Sequence, residues 1–64
     1  MKREKVLKHL RSNDCSLLRE GGRHSMYINN TNGKQAPVPK HPDIKKRTIK
    51  SICNQLDIDE PSGN

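Results

Sequence analysis

The feature that most limits what this chain can fold into is its shortage of large apolar side chains. Of its 64 residues, 28% are hydrophobic, with a single tyrosine and neither phenylalanine nor tryptophan. A chain of this length forms only one small core, in which each large buried side chain contributes roughly 1.5–3 kcal/mol against about 1.5 kcal/mol of ordering entropy per residue. We therefore expect one domain of marginal stability, which a bound partner would stabilise by mass action.

The net charge of the chain indicates which kinds of molecule it would bind. Thirteen Lys and Arg residues against seven Asp and Glu give a net charge of +6. A basic domain attracts phosphate polymers through counterion release, although charge alone does not distinguish DNA, RNA and an anionic membrane surface. No apolar run approaches the ~20 residues of a membrane span, and the start, MKREKVLKHL, lacks the apolar segment of a signal peptide. The sequence thus predicts a cytoplasmic protein that does not associate with membranes.

Cysteine and histidine spacing bears on disulfides and metals. Cys15 and Cys53 lie far apart in a chain that we expect to be cytoplasmic, and such cysteines are usually reduced and buried. Neither C-x-x-C nor H-x-x-x-H spacing occurs, so the sequence predicts no metal site and no cofactor. A metal site assembled in space from His9, His24 and His41 stays open as an alternative.

Apolar periodicity and turn residues predict five elements. The expected elements are a helix over residues 2–12, strands over 15–19, 24–29 and 34–39, and a helix from 46 or 47 to about 57. Ile44 is expected to anchor the corner before the second helix. We assign residues 1–58 to a single domain and 59–64 to a flexible tail, which has no apolar anchor.

Glycine and proline mark the ends of the predicted strands. Gly21 and Gly22 allow positive φ and a tight reversal between the first two strands. Asn32-Gly33 is a strong hairpin signal for the second reversal. Because Pro37 and Pro39 cannot donate hydrogen bonds to a ladder, the third strand belongs at a sheet edge.

The order of these elements predicts an α+β fold. The second strand alternates, with Ser25, Tyr27 and Asn29 on one side and Met26 and Ile28 on the other. Three antiparallel strands have one face to cover, and two amphipathic helices are available to cover it. The expected architecture is a two-layer α-β-β-β-α sandwich with both helices on one face, and a ligand would bind on the open face.

His24 is the residue best suited to catalysis, because it lies where the glycine turn meets a strand. Such a position fixes a side chain while leaving it accessible. An imidazole that deprotonates a ribose 2′-OH is enough to start an in-line attack on the adjacent phosphorus without a metal. His41 would suit the leaving 5′ oxygen if the fold brings it near His24. The alternative is that His24 is an ordinary surface residue and that His41 packs beside Pro42.

Several cations are candidates for binding RNA phosphates. Lys45, Lys46 and Arg47 stand where the second helix begins, and there they add to the positive end of the helix dipole and oppose helix stability. Docked phosphates would offset that cost, although such a run is usually a solvated helix face. The full set of RNA-binding candidates is Arg19, Lys34, Lys40, Lys45, Lys46, Arg47 and Lys50. Since Tyr27 is the sole aromatic residue and better suited to the core, we expect backbone and shape recognition rather than base stacking.

Three stretches of the chain resemble the HicA family of toxins from bacterial and archaeal toxin–antitoxin modules. They are R-E-G-G-R-H-x-x-Y from Arg19, V-P-x-H-P from Val38 and K-K-R-T-I-K-S-I-C-x-Q-L from Lys45. The resemblance extends from Lys2 to about Ile58. It implies a fold like a double-stranded-RNA-binding domain and a ribonuclease that cleaves messenger RNA. It also implies a HicB antitoxin as the partner that blocks the histidine.

In the family, one residue separates a glycine from the catalytic histidine, and this pair corresponds here to Gly22 and His24. Candidates for supporting roles are Gly22, Arg23, Ser25, Tyr27 and His41. The chain departs from the family's pattern at three places. Arg23 replaces a common serine, Asp14-Cys15 replace a glycine and a large aromatic, and Arg47 replaces a glycine, so that the second helix would start earlier.

Three functions follow as hypotheses. The first is the toxin of a type II toxin–antitoxin module, a metal-independent endoribonuclease with His24 as general acid/base. It would be a monomer alone and a hetero-oligomer with its antitoxin. The second is a non-catalytic basic module that binds double-stranded RNA, and the third is an interaction domain that is stable only with an acidic partner.

Overall fold

The computed structural model describes residues 1–61, and its five elements follow the predicted order. They are α1 (Arg3–Ser12), β1 (Cys15–Glu20), β2 (His24–Asn29), β3 (Gln35–Pro39) and α2 (Lys46–Leu56). The bounds differ from the predicted ones by a residue or so. Lys2 is the extended N-cap of α1 rather than its first residue, and Lys34 lies in the loop, where its N–H donates to the Asn32 side chain at 2.8 Å. Residues 62–64 of the predicted tail lie outside the described residues.

The three strands form one antiparallel sheet in the order β1-β2-β3, with α1 against β1 and α2 against β3. This confirms the two-layer α+β fold. The predicted alternation in β2 holds, and its polar side, Ser25, Tyr27 and Asn29, is the buried one. Met26 and Ile28 are half-buried on the open face. No helix among residues 1–61 combines the length and apolarity that a membrane span needs.

One small apolar core lies between the sheet and the helices. It consists of Val6, Leu10, Cys15, Tyr27, Ala36, Val38, Ile44, Ile49, Ile52, Cys53 and Leu56. Tyr27 is thus a core residue, and Ile44 anchors the corner before α2 as expected. The buried amide of Asn29 donates to the carbonyl of Leu56 at 2.9 Å and so satisfies the C-terminal end of α2. The inward polar side of β2 therefore has hydrogen-bond partners.

Both cysteines are free and buried, as the sequence predicts. Burial raises the pKa of the Cys53 thiol from 9.0 to about 11, and the Glu60 carboxylate adds to the effect. The raised pKa means that the folded state holds the thiol proton more tightly than the unfolded chain does. The resulting stabilisation is complete below pH 9.0 and is lost as pH rises to about 11.

We expect the free energy of unfolding of the wild type to fall by about 2 kcal/mol more than that of Cys53→Ala between pH 9 and pH 11. The alanine variant lacks the titrating group and is the reference for all other ionisations in this range. Urea unfolding at several pH values measures the difference. Parallel alkaline profiles for the two proteins would contradict the prediction.

The two edges of the sheet differ. In β1, Leu18 is the extra residue of a bulge, and Leu17 and Leu18 are 46% and 42% exposed. In an antiparallel ladder every second residue pair is hydrogen-bonded. The pairs His24–Pro39 and Met26–Pro37 are the ones without hydrogen bonds, so the nitrogens of Pro37 and Pro39 face outward. This confirms the edge position of β3. Its outer side lacks N–H donors at both prolines.

Candidate functional site

His24 is exposed on the open face of the sheet, at the first residue of β2. It pairs with Pro39 across the ladder and shares its face with Met26 and Ile28. Its carbonyl accepts a hydrogen bond from the N–H of Gly21 at 2.9 Å. The backbone of His24 is therefore fixed, while its imidazole is open to solvent.

Two open grooves flank the His24 side chain. The larger, of about 730 Å³, is lined by Arg23, His24, Pro39, Lys40, His41 and Thr48. The smaller, of about 270 Å³, is lined by Arg19, Gly21, Gly22, Arg23, His24, Met26 and Pro37. His24 and His41 thus share one groove because β3 returns beside β2. We call this larger groove the two-histidine groove.

The glycine turn before His24 works differently from the expectation. Gly33 is the one described glycine with a positive φ, at 79°, so neither Gly21 nor Gly22 uses the left-handed region. A Cβ at Gly21 would instead lie 2.8 Å from the carbonyl oxygen of His24, whereas one at Gly22 meets no atom within 4 Å. Neither glycine uses the positive φ that it would allow, and Gly21 is required by close approach.

We expect Gly21→Ala to destabilise the protein by about 1–3 kcal/mol, since the added methyl must push the His24 carbonyl away. Gly22→Ala is expected to stay within about 0.5 kcal/mol of the wild type or to stabilise it slightly by restricting the unfolded chain. Urea unfolding of the two variants measures the contrast. Equal effects of the two alanines would contradict the steric account.

Two of the candidate supporting residues lie on the opposite face from His24. Ser25 is 1% exposed and faces the helices, and Tyr27 belongs to the core. Neither lines the two-histidine groove. Arg23, by contrast, lines both grooves, and Gly22 lines the smaller one.

The predicted RNA-binding cations divide into three groups. Arg19 and Lys40 lie beside His24, in the smaller and the larger groove respectively. Lys45 lines a neighbouring groove together with His41 and Thr48. The others line neither of the two grooves that flank His24. Lys34 is at the far end of β3, Arg47 and Lys50 line a groove beside Ile58, and Lys46 is exposed on α2.

Ion pairing leaves most of these cations without a carboxylate partner. Within residues 1–61 the ion pairs are Lys34 with Asp57 at 3.9 Å and Lys40 with Glu20 at 3.2 Å. Hydrogen bonds from Ser25 and then Lys40 lower the pKa of the Glu20 carboxyl. Arg19, Arg23, Lys45, Lys46, Arg47 and Lys50 form no ion pair in this part of the chain.

The start of α2 combines positive charge with unsatisfied backbone donors. Its N-cap is Lys45, which provides no side-chain capping bond, and its first turn contains no acidic residue. The unpaired N–H groups and the dipole of such a terminus favour an anion. This uncapped end adjoins the two-histidine groove through Thr48, a residue that the sequence did not single out.

A family model described as HicA toxin of bacterial toxin-antitoxin matches residues 3–58. The match covers all five elements, both grooves beside His24 and the corner before α2. No curated protein and no solved structure matches the chain.

Proposed function

The chain belongs to the HicA toxin family of bacterial toxin–antitoxin systems, and we propose that it acts as a metal-independent endoribonuclease on messenger RNA, with His24 as the general base. The observation that carries the proposal is the two-histidine groove. The exposed side chain of His24 lines it on a fixed backbone, together with His41 and the cations Arg23 and Lys40.

The proposed reaction begins with proton transfer to His24. Neutral His24 takes the proton of a ribose 2′-OH, and the 2′ oxygen attacks the adjacent phosphorus. The bond from phosphorus to the 5′ oxygen then breaks, which leaves a 2′,3′-cyclic phosphate on one fragment. RNA supplies its own nucleophile, so the protein has only to move protons and stabilise charge.

His41 is the proposed general acid. In its protonated form it gives a proton to the departing 5′ oxygen, so that the other fragment ends in a 5′ hydroxyl. The support is its place in the same groove as His24. One imidazole ends the reaction with an extra proton and the other with one fewer, and exchange with solvent restores both.

Cations beside the groove would bind the RNA backbone. Arg19 and Arg23 share a groove with His24 and have no carboxylate partner in residues 1–61, and in this proposal they offset the charge that develops on phosphorus. The uncapped start of α2 at Lys45 is suited to a neighbouring phosphate. Since Tyr27 is buried, recognition would rest on backbone and shape rather than on base stacking.

A toxin of this family has an antitoxin partner. We propose a HicB-like antitoxin that covers the two-histidine groove in the cytoplasm, with the toxin a monomer when free and part of a hetero-oligomer when bound. The net charge of +6 favours an acidic surface on that partner.

A second candidate function is RNA binding without cleavage. It is favoured by Lys46, Arg47 and Lys50, which line neither groove beside His24 and carry no ion pair among residues 1–61. On this reading RNA binding weakens steeply with salt, no product forms, and replacing His24 changes nothing.

Incubation of the pure protein with RNA in EDTA distinguishes the two functions. The nuclease proposal expects fragments that end in a 2′,3′-cyclic phosphate and a 5′ hydroxyl, and it expects His24→Ala to form them about 10²–10⁴-fold more slowly. Equal cleavage by both proteins, or salt-sensitive binding without any product, would refute it.

A further inference from the structure

A chain of polar contacts joins four elements beneath the two-histidine groove. The Arg3 guanidinium donates from Nε to the carbonyl of Pro39 at 2.7 Å and from Nη2 to the Ser25 hydroxyl at 2.9 Å. The Ser25 hydroxyl in turn donates to Oε1 of Glu20 at 2.7 Å. The Lys40 ammonium lies 3.2 Å from the same oxygen and donates to the carbonyl of Gly21 at 2.7 Å. We call Arg3, Ser25, Glu20 and Lys40 the relay.

The relay and nearby backbone bonds hold the residues on either side of His24. Ser25 follows His24 and is bonded to both Arg3 and Glu20. Arg23 precedes it, and its carbonyl accepts from the Lys40 N–H at 3.3 Å. The backbone of His24 is therefore held on both sides, while its exposed side chain stays free to rotate.

The same contacts hold the segment that carries His41. Arg3 binds the carbonyl of Pro39 through its side chain and that of Pro42 through its own N–H at 2.8 Å. Lys40, directly before His41, is bonded to Gly21 and Glu20. The residues next to both histidines are thus tied into one set of contacts.

From this arrangement, and resting on the nuclease function proposed above, we propose that the relay is a positioning device that sets the separation between His24 and His41. Arg3, Ser25 and Glu20 line neither groove beside His24, and the relay acts through the two histidine-bearing segments. Ser25 is the central residue, because its hydroxyl accepts from Arg3 and donates to Glu20 while 1% exposed. Lys40, a predicted phosphate ligand, takes a positioning role here because its ammonium is already engaged.

Contacts of this kind are needed because His24 and His41 belong to different segments of the chain. His24 begins β2, whereas His41 lies two residues beyond the end of β3 at Pro39, so the pairing of these two strands does not itself fix His41. When two catalytic groups transfer protons in one reaction, a shift of about 1 Å in their relative position lowers the rate steeply. The segment of His41 lies outside this ladder, and the side-chain contacts of Arg3 and Lys40 hold it there.

Kinetics on Glu20 variants test the proposal. We expect Glu20→Ala and Ser25→Ala to lower kcat for RNA cleavage by about tenfold or more while binding of all-2′-O-methyl RNA changes by less than about threefold. Glu20→Gln keeps an acceptor oxygen and is expected to retain activity within about threefold of the wild type. The matched controls are Glu4→Ala and Glu4→Gln, because Glu4 is exposed on α1 and forms no ion pair within residues 1–61.

Amide hydrogen exchange without RNA tests the relay independently of catalysis. In Ser25→Ala, the amides of Gly21 and Lys40 are expected to exchange about tenfold faster, while those of Asn29 and Asn30 at the other end of the sheet keep their protection. Uniform loss of protection would reduce the relay to a contribution to global stability and overturn the proposal. So would unchanged exchange at Gly21 and Lys40.

Together, the kinetics and the amide exchange distinguish a failure of the nuclease proposal from a failure of the relay proposal. A wild type that does not cleave RNA refutes the nuclease, and the exchange pattern still decides whether the relay fixes the histidine segments. A wild type that cleaves, with Glu20→Ala equally active, refutes the relay alone. Loss of activity in Glu20→Gln as severe as in Glu20→Ala would assign the effect to charge and also overturn the positioning role.

Discussion

His24→Ala is expected to lower kcat for RNA cleavage by about 10²–10⁴-fold, the usual loss when a general base is removed. The side chain is exposed and shares its strand face with Met26 and Ile28, so its removal takes little from the core. We therefore expect a melting temperature within about 2 °C of the wild type. Binding of all-2′-O-methyl RNA should stay within about threefold, since the cations beside the groove are intact.

The assigned roles of the two histidines predict different responses to the leaving group. His41→Ala should also lose cleavage of ordinary RNA, but a substrate with sulfur in place of the 5′ oxygen should restore it, because a thiolate departs without a proton. His24→Ala should gain nothing from that substrate. Rescue of both variants, or of neither, would contradict the assignment of His41 as the acid.

Leu10→Ala is expected to destabilise the protein by about 2–5 kcal/mol. Leu10 is fully buried on α1, in the one core that the described chain contains. A domain below about 70–80 residues rarely has more than about 3–5 kcal/mol of stability in total. We therefore expect a large unfolded population of this variant at 25 °C, visible as a lost or strongly shifted urea transition.

Leu17→Ala is the matched control for that substitution. It removes the same atoms from a side chain that is 46% exposed on β1. The expected change is within about 0.5 kcal/mol, because little buried surface is lost. A control as destabilised as Leu10→Ala would show that β1 contributes far more to folding than its exposure indicates.

Patterns of neighbouring residues were sufficient to predict the helices and strands and their order. Apolar spacing located α1 and α2, and Asn32-Gly33 and the prolines located the second reversal and the edge strand. These signals are short-range, and each is a property of neighbouring residues. The alternation in β2 was also visible in the sequence, but which side faces the helices depended on the packing of the whole core.

The contacts around His24 could not be read from the sequence, because they join distant segments. The need for Gly21 arises from the returning His24 carbonyl rather than from its own φ. Arg3 resembles the other cations of α1, and nothing near it indicates a bond to Ser25 or Pro39. The nearness of His24 and His41 likewise follows from the pairing of β2 with β3.

The outward prolines of β3 also govern how the sheet could grow. With donors missing at Pro37 and Pro39, Gln35 supplies the one outward N–H in that strand, so a strand from another chain would meet an edge without prolines only beside β1, where the bulge at Leu18 interrupts the register. Two copies joined through β1 would form a six-stranded sheet that ends in β3 on both sides. Because both edges of such a sheet would be proline-containing β3 strands, pairing through β1 would stop at two copies and would not extend into a fibre.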